Sequence, residues 1–170
     1  MTIEERPAAR VWRCAKDAML REAMRILRNQ ADAEDAVGDA MERIVKNEAK
    51  FSSLGCNEMR SLAVIYVRNT AINLYNENNR KPLPLDELPE EPDFRDSPEE
   101  QVAAEDGAER LLSLIKRMPD SYRDVLLLRV KYDMDIHEIA AVLGIRNGTV
   151  RTRLSRARSW LMKHERRSGE

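Results

Sequence analysis

Five of the chain's seven prolines, Pro82, Pro84, Pro89, Pro92 and Pro98, fall in or beside KPLPLDELPEEPDFRDSPEE, and no other feature limits the fold as strongly. Proline fixes its own φ, lacks the N–H that a helix or ladder needs, and pushes the preceding residue toward extended backbone. Regular structure therefore cannot run through this stretch, and whatever folds must fold on either side of it. The 170 residues would otherwise suit one ordinary domain at roughly 100–200 residues each. With this break they read as two small domains, at 1–81 and 97–170, joined by a linker at 82–96.

Charge divides the chain at the same place. Residues 1–81 hold 14 Lys and Arg against 12 Asp and Glu, 82–109 hold 1 against 11, and 110–170 hold 14 against 7, so a formal net charge of −1 conceals parts of +2, −10 and +7. Such asymmetry is what distinct partners leave in a sequence. An acidic, proline-rich tether is expected to be extended and self-repelling, leaving both ends free to take independent positions.

Both flanks carry helical periodicity, and no β-type alternation appears. In AMLREAMRILRN, Leu20, Met24 and Leu27 recur at helical spacing, and Asn29-Gln30 ends the run. Asp32 is read as the N-cap of a second helix whose apolar side is Ala33, Val37, Ala40, Ile44 and Val45. A third helix, EMRSLAVIYVRNTAINLYNENN, is apolar on more than one side through Leu62, Ile65, Val67, Ala71, Ile72 and Leu74. Three such helices make a small bundle. Beyond the linker, Ser97-Pro98-Glu99-Glu100 reads as a capping box that starts a helix reaching about Arg117, and another follows Met118-Pro119-Asp120. The expected fold is all-α throughout.

The last third is the most specific. DIHEIAAVLG then IRNGTVRTRLSRARSWL has the pattern of a helix-turn-helix: Asp135 caps the first helix with Glu138 three residues on, Ala140 is small where helices approach, and Gly144 ends it. Asn147 is expected to cap the second helix. Val150, Leu154, Ala157 and Leu161 mark its core side. That leaves Arg151, Thr152, Ser155 and Arg156 outward, with Arg146 and Thr149 at the start of the helix. Arginine holds guanine bidentately, while Thr and Ser serve bases or phosphates; Arg153, Arg158, Lys163, Arg166 and Arg167 suit phosphate neutralisation.

Other functions are argued against by what the sequence lacks. His137 and His164 have no Asp or Cys at a spacing that would make a catalytic pair, so no catalytic residue is assigned. Cys14 and Cys56 show no CxxC spacing and no nearby His, which argues against a disulfide framework and against zinc; they are read as buried free thiols. No metal or cofactor is expected. No apolar run approaches the ~18 residues of a membrane span, and MTIEERPAAR has no secretory-signal pattern, so membrane insertion is not expected and a cytoplasmic address is.

These motifs together carry a family resemblance. MPDSYRDVLLLRVKYDMDIHEIAAVLGIRNGTVRTRLSRARSWL closely resembles the promoter-reading domain of the extracytoplasmic-function sigma factors of the sigma-70 family, whose "hxEIAxxLG" helix precedes a "GTVRSRLxRAR" helix. RILRNQADAEDAVGDAMERIVK resembles that family's clamp-binding helix, and VRNTAINLYNENNRK its promoter-melting helix. The resemblance implies a sigma region 2 domain at 1–81 and a sigma region 4 domain at 97–170. It implies as partners bacterial core RNA polymerase, through the clamp of the largest subunit and the flap of the second, with promoter DNA and an anti-sigma factor.

It also implies roles for residues. Asp35, Asp39 and Glu42, one acidic stripe at i, i+4 and i+7, would dock on the clamp. Asn69 and Asn73 would hold a flipped non-template base of the downstream element, with Phe51 and the loop Ser52-Ser53-Leu54-Gly55 walling the pocket and Arg68, Arg80 and Lys81 following phosphates. Three departures stand out. Gly38 replaces the family's usual Gln, Leu62-Ala63-Val64-Ile65 its Trp-Leu-Tyr-Arg run, and Asn78-Asn79-Arg80-Lys81 its multi-arginine stretch. They keep two alternatives open: a sigma-like adaptor that binds polymerase without melting promoters, and a stand-alone helix-turn-helix regulator.

Overall fold

A computed structural model of the protein describes residues 5–79 and 107–168. Among them the chain forms seven α-helices and one 3₁₀ turn, with no strand: α1 Pro7–Leu27, α2 Gln30–Lys46, the turn Glu48–Phe51, α3 Cys56–Asn78, α4 Gly107–Arg117, α5 Asp120–Val130, α6 Ile136–Leu143 and α7 Asn147–Ser168. The proline-rich stretch, the Ser97-Pro98-Glu99-Glu100 start signal and both expected linker boundaries lie outside the described residues.

In the first half, α1, α2 and α3 pack on one another, and the 3₁₀ turn lies against α1. Pro7 opens α1, where its missing N–H costs nothing. The helix starts well before the expected run and presents a different face to the core: Val11, Ala15, Met19 and Ala23, four apart, are fully buried. Met24 is 36% exposed, and Leu20 and Leu27 are only half-buried. The apolar lane anticipated from the leucines is thus displaced by an alanine-rich one. Small side chains let the three backbones approach closely, so the core selects them over larger neighbours.

Arg28, with φ 56° in the left-handed region, turns the chain out of α1. The cap of α2 is Asn29 rather than Asp32: Asn29 Oδ1 accepts the Asp32 N–H at 3.1 Å, and Asp32 sits in the first turn, where a negative charge meets the positive end of the helix. Ala33, Ala36, Val37, Ala40 and Ile44 are buried, whereas Val45 is 42% exposed because a step of 100° past Ile44 turns it outward. Helix α3 is buried on most sides, through Met59, Leu62, Ala63, Ile65, Tyr66, Val67, Ala71 and Ile72.

The sequence reading of the cysteines is overturned. Cys14 on α1 and Cys56 at the first turn of α3 are joined as a disulfide, with Cα atoms 5.5 Å apart. Cys14 is half-buried and Cys56 exposed, so neither is a buried free thiol. Forty-two residues separate them in sequence. Only the packing of α1 against α3 brings them together, which is why spacing gave no sign of it.

In the second half, α4 and α5 pack against α7. Met118, Leu126 and Ala157 form the buried centre, flanked by Ile115, Tyr122, Trp160 and Leu161. Arg129 reaches the Met134 carbonyl at 3.1 Å, and the Met134 N–H donates to the Leu128 carbonyl, closing the turn between α5 and α6.

Candidate nucleic-acid interface

The helix-turn-helix is built by local chemistry. Asp135 Oδ1 accepts the Glu138 N–H at 2.8 Å, capping α6, and that hydrogen bond holds the Asp135 carboxyl below the usual carboxylate range. At the other end Gly144 takes φ +66°, and the Ile145 N–H bonds the Ala140 carbonyl at 3.1 Å. This six-to-one bond across a left-handed glycine is a Schellman stop, and an L side chain at residue 144 would be strained. Asn147 is the first residue of α7, and its amide nitrogen lies 2.9 Å from His137 Nδ1, tying the start of α7 to α6.

Along α7, Val150, Leu154 and Ala157 are buried, as the spacing predicts. Arg146, Arg151, Thr152, Ser155, Arg156 and Arg158 are exposed, and Thr149 is half-buried. The Thr152 hydroxyl donates to the Gly148 carbonyl at 3.0 Å, which fixes its rotamer. Lys163 and Arg166 extend the basic surface toward the end of the helix.

Arg153 departs from this pattern: it is 1% exposed and cannot present its guanidinium to phosphate as expected. Its position explains why. Three residues after Val150 and four before Ala157, it belongs to the core lane by the same period that places them there. Asp124 on α5 is likewise buried, at 3%, so the two packed helices each carry a charged group into the interior. A buried charge needs strong compensation, and Arg153 is a residue of the fold rather than of its surface.

In the first half, Asp35, Asp39 and Glu42 are all exposed on α2, opposite its buried alanines, and form the acidic stripe that the spacing predicts. Gly38 lies among them, also exposed, and a Cβ added there would meet nothing within 4 Å. Its lack of a side chain therefore serves no close packing within the described structure.

The residues expected to hold a flipped base are arranged less openly. Phe51 is fully buried, its ring 5.8 Å from that of Tyr66. Asn69 is 5% exposed and donates to the Ile65 carbonyl at 2.8 Å, as Thr70 does to Tyr66 at 2.9 Å. Asn73 is half-buried, and the loop residues Ser52, Ser53 and Gly55 are exposed. Arg68, expected to follow phosphates, bonds Glu22 Oε1 across α1 and α3 at 2.9 Å, both side chains being largely covered. Burial pushes the Glu22 carboxyl up, but bonds and charges from Arg25 and Arg68 outweigh it and hold it below the usual range. Arg80 and Lys81 lie outside the described residues. Sequence reasoning missed the tethers of this region: Arg10 to the Leu54 carbonyl at 3.3 Å, Arg60 to the Cys14 carbonyl at 3.1 Å, and the cysteine pair.

A helical bundle with an exposed acidic stripe, followed by a helix-turn-helix with an outward arginine, threonine and serine face, has the two-part make-up of a helix-turn-helix transcription factor. Comparison with known families agrees half by half. Residues 11–81 match the sigma-70 region 2 model and residues 108–161 the sigma-70 region 4 model. The RNA polymerase sigma-E factor of Streptomyces coelicolor is 31% identical over 151 residues, covering 85% of this chain and 78% of that protein. Its namesake in Streptomyces avermitilis is 32% identical over the same length, covering 85% and 77%. The ECF RNA polymerase sigma factor ShbA of Streptomyces griseus is 35% identical over 79 residues, 46% of this chain and 41% of that one. The chain belongs to the extracytoplasmic-function sigma factors of the sigma-70 family: it is a sigma factor for promoter-specific transcription initiation, and its partners are core RNA polymerase and promoter DNA. Among the described residues no helix is long and apolar enough to cross a membrane.

Proposed function

We propose a division of labour between the two halves, with domains at 1–81 and 97–170 on a linker at 82–96. The α7 face formed by Arg146, Thr149, Arg151, Thr152, Ser155, Arg156 and Arg158 reads the upstream promoter element in the major groove, arginines on guanine edges and hydroxyls on bases or phosphates. Asp35, Asp39 and Glu42 dock on the basic clamp helices of the largest polymerase subunit, while the C-terminal half meets the flap of the second. Asn73 and the loop Ser52–Gly55 take the downstream element, with Arg80 and Lys81 on its phosphates. Phe51 and Asn69 support that pocket from inside. The protein works in the cytoplasm, where it is held by an anti-sigma factor, and it carries no catalytic residue of its own.

The observation that carries this reading is the coexistence in one chain of an exposed acidic stripe and an exposed Arg/Thr/Ser face. Run-off transcription with core enzyme on a random-promoter library tests it. Enriched templates should share two elements at a fixed separation, and transcripts no more numerous than with core alone would refute it.

The burial of Asn69 and Phe51, and the hold of Glu22 on Arg68, favour one second reading: recruitment without strand separation. Transcription from a pre-opened template but not from duplex would select it.

A further inference from the structure

The junction between the loop Ser52–Gly55 and α3 is bound to α1 by three neighbouring tethers. Arg10 Nη2 holds the Leu54 carbonyl at 3.3 Å, the Cys14–Cys56 disulfide crosses one turn further on, and Arg60 Nε holds the Cys14 carbonyl at 3.1 Å. Two of these are single hydrogen bonds, the first near the limit of length. The disulfide is the only covalent link among the described residues. It is not a core staple, because Cys56 is exposed and Cys14 half-buried.

Chemistry and place then conflict in an informative way. Disulfides in a reducing compartment are rare, and those that form are transient or redox-sensing; exposed ones exchange most readily. A factor that works beside a polymerase acts in such a compartment. Arg10 and Arg60 bring positive charge to the junction, which favours the thiolate as the attacking form, and Cys56 is open to a partner from solvent.

We propose that Cys14 and Cys56 form a thiol–disulfide exchange site, and that its oxidation strengthens downstream-element binding by clamping the loop Ser52–Gly55 onto α1. The co-reactant is a small-molecule or protein disulfide. The Cys56 thiolate attacks one of its sulfurs, forming a mixed disulfide and releasing one thiolate. Cys14, giving its proton to water, then attacks the Cys56 sulfur and expels the second. Two protein thiols lose two electrons and two protons, and the co-reactant disulfide becomes two thiols; a dithiol reverses the sequence. The oxidised form has its loop already ordered, so DNA binding does not bear the ordering cost that the reduced form meets. The functional half of this proposal rests on the downstream-element assignment made above, whereas the exchange chemistry does not.

The experiment uses the full chain in glutathione buffers of graded oxidised-to-reduced ratio, read by alkylation and mass, by thermal melting, and by run-off transcription with core enzyme on duplex and pre-opened templates. Both thiols should be protected together as the ratio rises and recovered as it falls. Closing a loop of this length should raise the melting temperature of the first half by roughly 10–20 °C. Transcription from duplex should be several-fold higher when oxidised, with a smaller difference on the pre-opened template. Cys14→Ser and Cys56→Ser should each behave as the reduced protein in every buffer. Full alkylation at every ratio would overturn the exchange site, and protection that reducing glutathione cannot reverse would make the bond a fixed staple and overturn it equally. Reversible protection with unchanged transcription would overturn the regulatory role. Transcription from the pre-opened template but never from duplex, in every redox state and with protection and melting as described, would instead condemn the downstream-element reading and the clamp's effect on it while the exchange chemistry stands.

Discussion

Helices α3 and α7 are of similar length and both are expected to touch DNA, yet they distribute their polar residues in opposite ways. On α7 a narrow lane of Val150, Leu154 and Ala157 faces the core, leaving Arg151, Thr152, Ser155 and Arg156 outside. On α3 burial extends round most of the helix, and Asn69 and Thr70 turn their side chains to the carbonyls four residues back. A helix with one buried lane can present a reading face without rearrangement. A helix buried on most sides has satisfied its polar groups internally, so it must rely on the adjoining loop and on its half-buried Asn73. On the roles proposed for the two halves, this contrast would make duplex reading by the second a property of the surface as folded, and downstream recognition by the first a property of a junction.

The largest effect should come from the face that shares the first half with α3 but lies wholly outside its core. Reversing Asp35 and Asp39 to Lys should abolish co-purification with core polymerase while leaving circular dichroism unchanged, since both residues are exposed. Unchanged core binding would remove the stripe from the interface.

Arg153 and Arg151 break the comparison inside α7 itself. Arg153→Ala deletes a long buried side chain and should destabilise the second half by about 3 kcal/mol, read as a lower denaturation midpoint. Arg151→Ala should leave the midpoint alone and cost about 1–3 kcal/mol on the cognate upstream element, relaxing preference at one base. Equal loss on specific and scrambled duplexes would reduce Arg151 to a phosphate contact, which is the behaviour anticipated for Arg166→Ala.

Glu22 offers a pH test of the α1–α3 contact. Its folded carboxyl titrates below its unfolded value, so the stabilisation it gives is present above the unfolded value and lost as pH falls through the folded one. With Arg25 half-exposed, that contribution is on the order of 1 kcal/mol. Acid melting followed between about pH 5 and 2 should show a step in the native protein that Glu22→Gln lacks. An identical profile for the two would mean that Arg68 is held by something other than Glu22.

What the sequence disclosed follows from how local each feature is. The all-helical class and the signals Asp135 and Gly144 were legible because caps and the 3.6-residue period act over a few residues, whereas Asn147, read as the cap of α7, is the first residue inside that helix and directs its amide nitrogen to His137. The core lane of α1 was not, because Ala15 and Ala23 are chosen for the closeness of neighbouring helices, which hydrophobicity alone does not register, and Leu20 and Met24 outbid them on any apolar scale. Arg153 was misassigned because its charge was weighed above its position. The period was sufficient to place it inward. Phe51 and Asn69 were tied to the pocket by resemblance, and their burial depends on Tyr66 and on the helix's own carbonyls. The Cys14–Cys56 pair depends on tertiary packing across 42 residues, so no local signal existed.

The smallest effect sharpens the comparison most cleanly, because Gly38 touches neither core nor any described neighbour. Glycine within a helix costs about 0.5–1 kcal/mol relative to alanine through backbone entropy. A Cβ at this position has open space, so Gly38→Ala should raise the stability of the first half by about that amount with no loss from crowding. Any change in core binding would then have to arise at the interface, since the folded domain is not weakened. Gly38 sits beside Asp35, Asp39 and Glu42, so if the clamp approaches the α2 backbone closely there, the added methyl should weaken core binding even as the melting temperature rises. If the stripe docks through its carboxylates alone, affinity should hold or improve slightly. Opposite movements of stability and core affinity would place the contact at the α2 backbone, whereas a fall in both would show that Gly38 is needed by the bundle in a way its open surroundings do not reveal.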